Sequence, residues 1–224
     1  MTRQALAHKK SGRWLRNCFI FVACVLYFSV SEQVNAAEEC VALYKTVSVR
    51  HTEATQQLKP DSDAFYRRMH DLENALFSAL QKCPQHPLLF TLMAENQIAL
   101  KNYQLANAYA QKAFQQKPDL WQTNHVLGTV LVMQQKYEKG LPLLKRAVQI
   151  APQRFALHFN LCSSYVLSGR YKLAVEICSH LLKQKGHDLH GETYLQRSQA
   201  YKALDKIKLA NEDLSRSQSF SKSR

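Results

Sequence analysis

Residues 119–152 read DLWQTNHVLGTVLVMQQKYEKGLPLLKRAVQIAP, and the same pattern precedes and follows them. The three copies align without a gap at an offset of 34 residues, with small residues at matching places and a proline at each boundary. The boundary prolines are Pro84, Pro118 and Pro152, and the small residues are Ala94, Gly128 and Cys162 at one place and Ala106, Gly140 and Ala174 at another. A pattern written three times at a fixed spacing is typical of a repeat protein.

The order of residue types resembles the tetratricopeptide repeat: a large residue, then Leu-Gly, an aromatic or aliphatic residue, Ala, a large residue, Ala and a closing Pro. The middle copy matches at Leu127, Gly128, Tyr137, Gly140, Ala147 and Pro152, and it departs at Asn124 and Leu131, where the family has Trp and Tyr. The resemblance implies an all-α fold, a right-handed α-solenoid of stacked antiparallel helix pairs with a concave inner surface.

The pattern has a physical basis in helix packing. Small residues on the first helix of a unit face small residues on the second, so that two antiparallel helices approach closely. The proline follows the second helix because it cannot continue a helix interior. One such pair cannot bury its apolar face alone, so at least about three pairs must stack.

The chain divides into seven predicted segments. They are a signal peptide or signal anchor at 1–36, a divergent N-terminal helix pair at 37–84, repeat units at 85–118, 119–152 and 153–186, a C-terminal repeat-like helix pair at 187–214, and a tail at 215–224. Predicted helices in the repeat units cover 87–100, 103–116, 121–134, 137–150, 155–168 and 171–184. The tail is predicted to be disordered because it lacks apolar periodicity.

Residues 1–36 have the layout of a secretory signal peptide. A basic stretch precedes an apolar run from Cys18 to Val30, and small residues at Val34 and Ala36 suggest cleavage after Ala36. The apolar run of 13 residues is short for a membrane-spanning helix, which needs about twenty. We therefore expect export, to the periplasm in a bacterium; the alternative is an inner-membrane anchor formed by residues 18–30, the single route to membrane association that we expect.

The formal net charge is +13, and removal of residues 1–36 takes away five basic groups and Glu32, leaving +9. A basic chain can favour anionic surfaces or nucleic acid. Here the basic residues are dispersed along the repeats and several suit helix C-termini, where they complement the helix dipole. We expect solvated faces and no nucleic-acid partner.

Four cysteines lie beyond the signal segment: Cys40, Cys83, Cys162 and Cys178. An even number in an exported chain favours disulfides, although four cysteines allow three pairings. Cys40 and Cys83 are expected to meet at one end of a helix hairpin, and Cys162 and Cys178 to face each other in one pair. The alternative is a buried free thiol, which we favour more for Cys162 and Cys178 because cysteine is a natural small residue at helix contacts.

Catalytic chemistry finds no support in the sequence. There is no Gly-rich phosphate loop, nucleophile elbow or Cys-His pair in a catalytic context. His187, Asp188 and His190 form the only cluster that hints at a metal, but they lie in a Gly-flanked loop without a Glu-containing helical motif. We expect no enzyme activity, no metal and no cofactor; a metal-binding module or enzyme using this loop is a less favoured alternative.

The resemblance implies that the first helix of each unit lines a groove for a protein or peptide segment. Transfer by register selects twelve residues: Thr91, Glu95, Ile98, Gln122, His125, Thr129, Val132, Phe159, Ser163, Val166, Gln199 and Lys202. The clamp that some members use for a C-terminal carboxylate is largely missing, since the matching places hold Thr91, Glu95, Val126, Ala156 and Asn160.

The function implied is a scaffold or adaptor for assembly or maturation of a cell-envelope complex, of the secretion, pilus or cytochrome-maturation type. Alternatives are a self-associating structural protein, which would form a homo-oligomer, and groove residues that pack against another part of the same chain.

Overall fold

A computed structural model describes residues 35–184 and 190–222. The chain falls into two compact units, residues 1–46 and 47–224. In the first unit residues 35–46 are described, and they are helical. The predicted signal segment therefore lies almost entirely outside the described residues. Across the described ranges, no helix combines the length and apolar character needed to cross a membrane.

The second unit is built from helices wherever the structure describes regular elements. They are α1 (47–57), α2 (Asp63–Lys82), α3 (Pro87–Ala99), α4 (Tyr103–Gln116), α5 (Trp121–Met133), α6 (Tyr137–Ile150), α7 (Phe155–Leu167), α8 (Tyr171–Lys183), α9 (His190–Ala203) and α10 (Ile207–Lys222). The helices of the three repeat units begin at the predicted residues and end one residue early at most.

Consecutive helices pack in pairs: α3 with α4, α5 with α6, α7 with α8, and α9 with α10. The second helix of each pair also contacts the first helix of the next, so the pairs stack in chain order. The prediction of an all-α solenoid of stacked helix pairs is confirmed.

The two helices of the middle pair touch through glycine. A Cβ atom added to Gly140 would lie 2.8 Å from the Gly128 carbonyl oxygen and 3.0 Å from Val132 Cγ2. Contacts this short leave no room for a side chain. Leu141 and Leu144 of α6 are 1% exposed beside this contact, so close approach of the backbones closes the core.

Each helix pair turns through the same backbone conformation. Lys101, Gln135, Gly169 and Asp205 all have positive φ, between 56° and 71°, at the same register between first and second helix. The next amide in each unit bonds back to a carbonyl five residues earlier, as Lys136 N–H does to Leu131 O at 2.8 Å. This arrangement satisfies the last carbonyls of the first helix and reverses the chain.

The departures from the family's opening Trp have a structural reason. Asn124 donates from Nδ2 to the Pro118 carbonyl at 2.6 Å, and His158 Nε2 contacts the Pro152 carbonyl at 2.9 Å. Each of these polar side chains therefore links the start of its helix to the proline turn before it. The family's Trp at this position would contribute mainly apolar packing.

The C-terminal pair is held by a buried ion pair. Arg197 Nε lies 2.7 Å from Asp213 Oδ2, and its second terminal nitrogen lies 2.9 Å from Oδ1. The remaining terminal nitrogen donates to Ser179 Oγ at 2.9 Å. Asp213 is 2% exposed, so a buried bidentate contact joins α9 to α10, and the hydrogen bond to Ser179 joins Arg197 to α8.

The C-terminus differs from the sequence prediction, because α10 continues to Lys222 where a disordered tail was expected from residue 215. The Phe220 ring stacks on His190 and Tyr194, with centroids 5.8 and 6.0 Å apart. A Cβ atom at Gly191 would lie 3.0 Å from Phe220 Cβ, so glycine makes room for this contact. Tertiary packing supports a serine-rich helix that its own composition does not favour.

The sulfur atoms of Cys162 and Cys178 lie at bonding distance, and their Cα atoms are 5.6 Å apart. This geometry favours a disulfide over the buried free thiols that were preferred for this pair. The pairing of Cys40 with Cys83 stays a prediction.

Candidate functional site

The first helices of successive pairs form one layer. α3 contacts α5, α5 contacts α7, and α7 contacts α9, whereas among the described helices α4, α6, α8 and α10 make no such contacts with one another. A stack whose helices meet on one side and separate on the other has its inner surface on the side where they meet. We call the exposed surface of α3, α5, α7 and α9 the inner face.

Three polar side chains from successive first helices meet on the inner face. Glu95 Oε1 of α3 lies 3.9 Å from His125 Nδ1 of α5, and His125 Nε2 lies 2.7 Å from Asn160 Nδ2 of α7. The side chains of Glu95 and His125 are 32% and 15% exposed. These residues, named the inner-face cluster, link three repeat units through side chains.

The contacts of the cluster specify the tautomer of the His125 ring, and burial keeps the ring neutral. Since Asn160 Nδ2 can only donate, His125 Nε2 accepts, and the proton of the neutral ring lies on Nδ1, toward Glu95. Burial lowers the pKa of His125 to about 4, so the ring is neutral near pH 7. Burial also raises the pKa of Glu95 to about 7, because the carboxylate loses water without gaining a cation.

Other polar atoms on the inner face are buried without a hydrogen-bond partner. They are Gln122 Oε1, Thr129 Oγ1 and Ser163 Oγ, together with His125 Nδ1. An unpaired buried group costs about 1–3 kcal/mol, and most such groups in native proteins find a partner. Thr129 and Ser163 are partly exposed as residues, so a change of χ1 rotamer is enough to turn either hydroxyl toward the surface.

The predicted apolar contacts divide between surface and core. Phe159 is partly exposed, as expected for a ligand anchor. Ile98 and Val166 are also partly exposed but pack against the cores of their units. Val132, 2% exposed, and Thr91, 3% exposed with Oγ1 bonded to the Leu88 carbonyl, lie in the interior, which corrects their assignment to the groove lining.

On α9, Gln199 and Lys202 are exposed, at the register of Ser163 and Val166. All twelve predicted residues lie on the first helices α3, α5, α7 and α9. Of these residues, the structure brings Glu95 and His125 close together.

Asn160 was named at a clamp position but was not among the twelve groove residues, although its register carries a further signal. The same register holds Leu92 in α3 and Val126 in α5, both buried. A polar residue at an apolar register indicates a specific partner, which is His125.

The candidate metal loop is only partly visible, since His187 and Asp188 lie outside the described residues. His190 begins α9 and stacks on Phe220. Within residues 35–184 and 190–222, no group of three or more His, Cys, Asp and Glu side chains has metal-binding geometry.

The tetratricopeptide repeat family model matches residues 131–191. This range covers the end of the middle unit's first helix, its second helix and the third unit. Among curated proteins none matches this sequence.

Solved structures resemble the fold. MamA is 13% identical, with a TM-score of 0.57 over 70% of this chain and 90% of that chain. YrrB, described as a TPR protein with an unusual peptide-binding site, is 18% identical, with a TM-score of 0.55 over 76% of this chain and 91% of that one. MamA from Desulfovibrio magneticus RS-1 is 15% identical, with a TM-score of 0.59 over 81% and 97%. At this identity the likeness concerns the fold. Residues 131–191 therefore match the tetratricopeptide repeat family, and the chain has the fold of solved tetratricopeptide repeat proteins.

Proposed function

We propose that this protein is a non-enzymatic scaffold that holds an extended segment of a partner protein on its inner face. The observation that carries the proposal is the group of unpaired hydrogen-bonding atoms of Gln122, Thr129 and Ser163 on α5 and α7. An extended peptide presents N–H and C=O groups along its whole length and can supply the missing partners.

The inner face also offers an apolar anchor. Phe159 lies on α7, next to Asn160 in the sequence, and its side chain is partly exposed. Aromatic side chains contribute a large share of binding energy in protein interfaces. The solved structure of YrrB, a TPR protein with a peptide-binding site, gives the proposal further support at the level of the fold.

The proposal includes export and a role in assembling or maturing a cell-envelope complex. Its supports are the signal-like pattern of residues 1–36 and the bonding-distance sulfurs of Cys162 and Cys178, since disulfides persist in oxidising compartments. Alkylation of unreduced, unfolded protein from its own cell tests this part. We expect Cys178 to stay unmodified until reductant is added; full modification without reductant contradicts it.

A photo-reactive residue tests the binding surface. The probe is placed at Ala156, which is exposed at the register of Gln122, and the matched control probe at Arg146, which is exposed on α6. We expect one partner to be captured from Ala156 and not from Arg146, and capture to be lost in a Phe159→Asp variant of unchanged helicity. Equal capture from both positions refutes the proposal, and capture of a second copy alone replaces it with self-association.

A further inference from the structure

The inner face carries an acidic side chain without a cationic partner. Elsewhere in the described part of the chain, carboxylates pair with Lys or Arg, as Asp61 does with Lys101, Glu138 with Arg170, and Asp213 with Arg197. Among the described residues, Glu95 pairs with His125, whose Nδ1 lies 3.9 Å away, beyond hydrogen-bond distance. A carboxylate two-thirds buried is stabilised when a partner supplies a positive charge.

The neighbours of Glu95 do not supply that charge. His125 is neutral because burial holds its pKa far below the ordinary value. Its Nδ1 lies 3.9 Å from the carboxylate and has no hydrogen-bond partner, and its Nε2 accepts from Asn160 Nδ2.

We propose, resting on the proposed function, that the Glu95 carboxylate, beside the neutral ring of His125, is a subsite for one Lys or Arg side chain of the bound segment. The cation of that side chain bonds the Glu95 carboxylate. Lys and Arg carry donors and no acceptors, which matches a carboxylate that has no cation of its own.

The surrounding charge limits the partner further. The formal net charge is +13 with residues 1–36 and +9 without them, so the chain repels a polybasic segment at long range in either form. A single basic residue in an otherwise neutral segment is attracted by the Glu95 carboxylate, which lies within a Debye length. The screened repulsion from the rest of the chain is weak for a single charge. The segment that fits therefore carries one basic side chain.

Docking of the cation is coupled to a proton. Burial raises the pKa of Glu95 to about 7, so near neutral pH much of the free protein holds a proton on this carboxyl. A bound cation favours the ionised form and lowers that pKa. Binding near neutral pH therefore releases a proton, and its observed enthalpy depends on the buffer.

An arrayed peptide library with one fixed central residue and random flanking positions tests the subsite. The central residue is Lys, Arg, norleucine or Glu, and norleucine keeps most of the length of Lys without its charge. We expect the full-length protein to bind Lys or Arg peptides about tenfold more tightly than norleucine peptides, as charge-assisted hydrogen bonds of this kind allow.

Two variants complete the test. Glu95→Gln should reduce the preference to below about twofold while binding of the library persists, and Glu176→Gln, at an exposed position on α8, should keep it. Circular dichroism of each variant checks the fold. Equal binding of Lys and norleucine peptides, or a preference that survives in Glu95→Gln, overturns the inference alone. Absence of binding to every peptide overturns the proposed function and the inference together.

Discussion

Substitution of Gly140 by Ala tests the helix contact on which the middle unit depends. The new Cβ atom would lie 2.8 Å from the Gly128 carbonyl oxygen, 3.0 Å from Val132 Cγ2 and 3.1 Å from Leu131 Cβ. The shortest of these contacts is to a backbone atom, which cannot move away by a change of rotamer. Relief of the clash therefore requires α5 and α6 to separate.

Two opposing terms decide the sign of the effect. Ala is favoured over Gly in a helix interior by up to about 1 kcal/mol, whereas inserting a methyl group into a packed core costs about 1–3 kcal/mol. Because a backbone oxygen is in the way, we expect the larger cost to apply, and the free energy of unfolding to fall by about 1–2 kcal/mol. Gly128→Ala should cost less, since two of its three contacts are to the flexible Leu144 side chain.

Urea unfolding followed by far-UV circular dichroism measures the change. Ala108→Gly, at an exposed position on α4, calibrates the helix-propensity term in a site without packing constraints. We expect a loss of about 1 kcal/mol there. Gly140→Ala with an unchanged or increased free energy of unfolding refutes the close-contact account of the repeat.

Four further substitutions have defined outcomes. Gln135→Gly should raise the melting temperature and increase the free energy of unfolding by about 0.5–1 kcal/mol. Glycine removes the conformational cost of a φ of 60°, and the greater entropy of the unfolded chain offsets only part of that gain. Asp213→Ala should lower the free energy of unfolding by about 3 kcal/mol, measured by urea titration, because it leaves a buried guanidinium unpaired. The free energy of unfolding, measured as a function of pH, should distinguish the contribution of Glu95 from that of His125. The pKa of Glu95 is raised from 4.5 to about 7, so its contribution to the free energy of unfolding falls as pH rises through that window. Glu95→Gln should therefore increase the free energy of unfolding by about 1–2 kcal/mol at about pH 8, after allowance for solvent screening. The pKa of His125 is lowered from 6.5 to about 4, so its contribution is lost as pH falls through that window, and His125→Gln should flatten the acid side of the profile.

The repeat units could be predicted from the sequence because their contacts are local. Each helix pair is closed by small residues twelve positions apart, such as Gly128 with Gly140 and Cys162 with Ala174. The turn between them has one backbone conformation, although only Gly169 among its positive-φ residues is a glycine. Short-range constraints of this kind repeat with the sequence and are readable from it.

The part of α10 that follows residue 214 was not predictable from its own residues, whereas the earlier part belongs to the helix pair predicted at 187–214. Residues 215–222 lack apolar periodicity, and the contacts that support them come from another helix. His190 and Tyr194 stack on Phe220, and Arg197 reaches Asp213. Such pairings depend on how α9 and α10 cross, which composition does not specify.

Register located the candidate site only in part. It placed Glu95 and His125 on one face, where the structure brings them within 3.9 Å. It assigned Val132 to the groove lining, but this side chain is 2% exposed because α6 covers it. It placed Asn160 at a clamp position and did not predict that its amide contacts His125 across a helix interface. Side-chain pairing between units lies beyond what a repeat alignment encodes.

The most direct test of the inner face as a peptide-binding surface is to map where a bound peptide lies. A library peptide that binds the full-length chain is prepared with a photo-reactive residue, cross-linked, and the labelled positions are identified by mass spectrometry. The account predicts labels within α5 and α7, at Trp121–Met133 and Phe155–Leu167. Labels confined to α4, α6 and α8 contradict it.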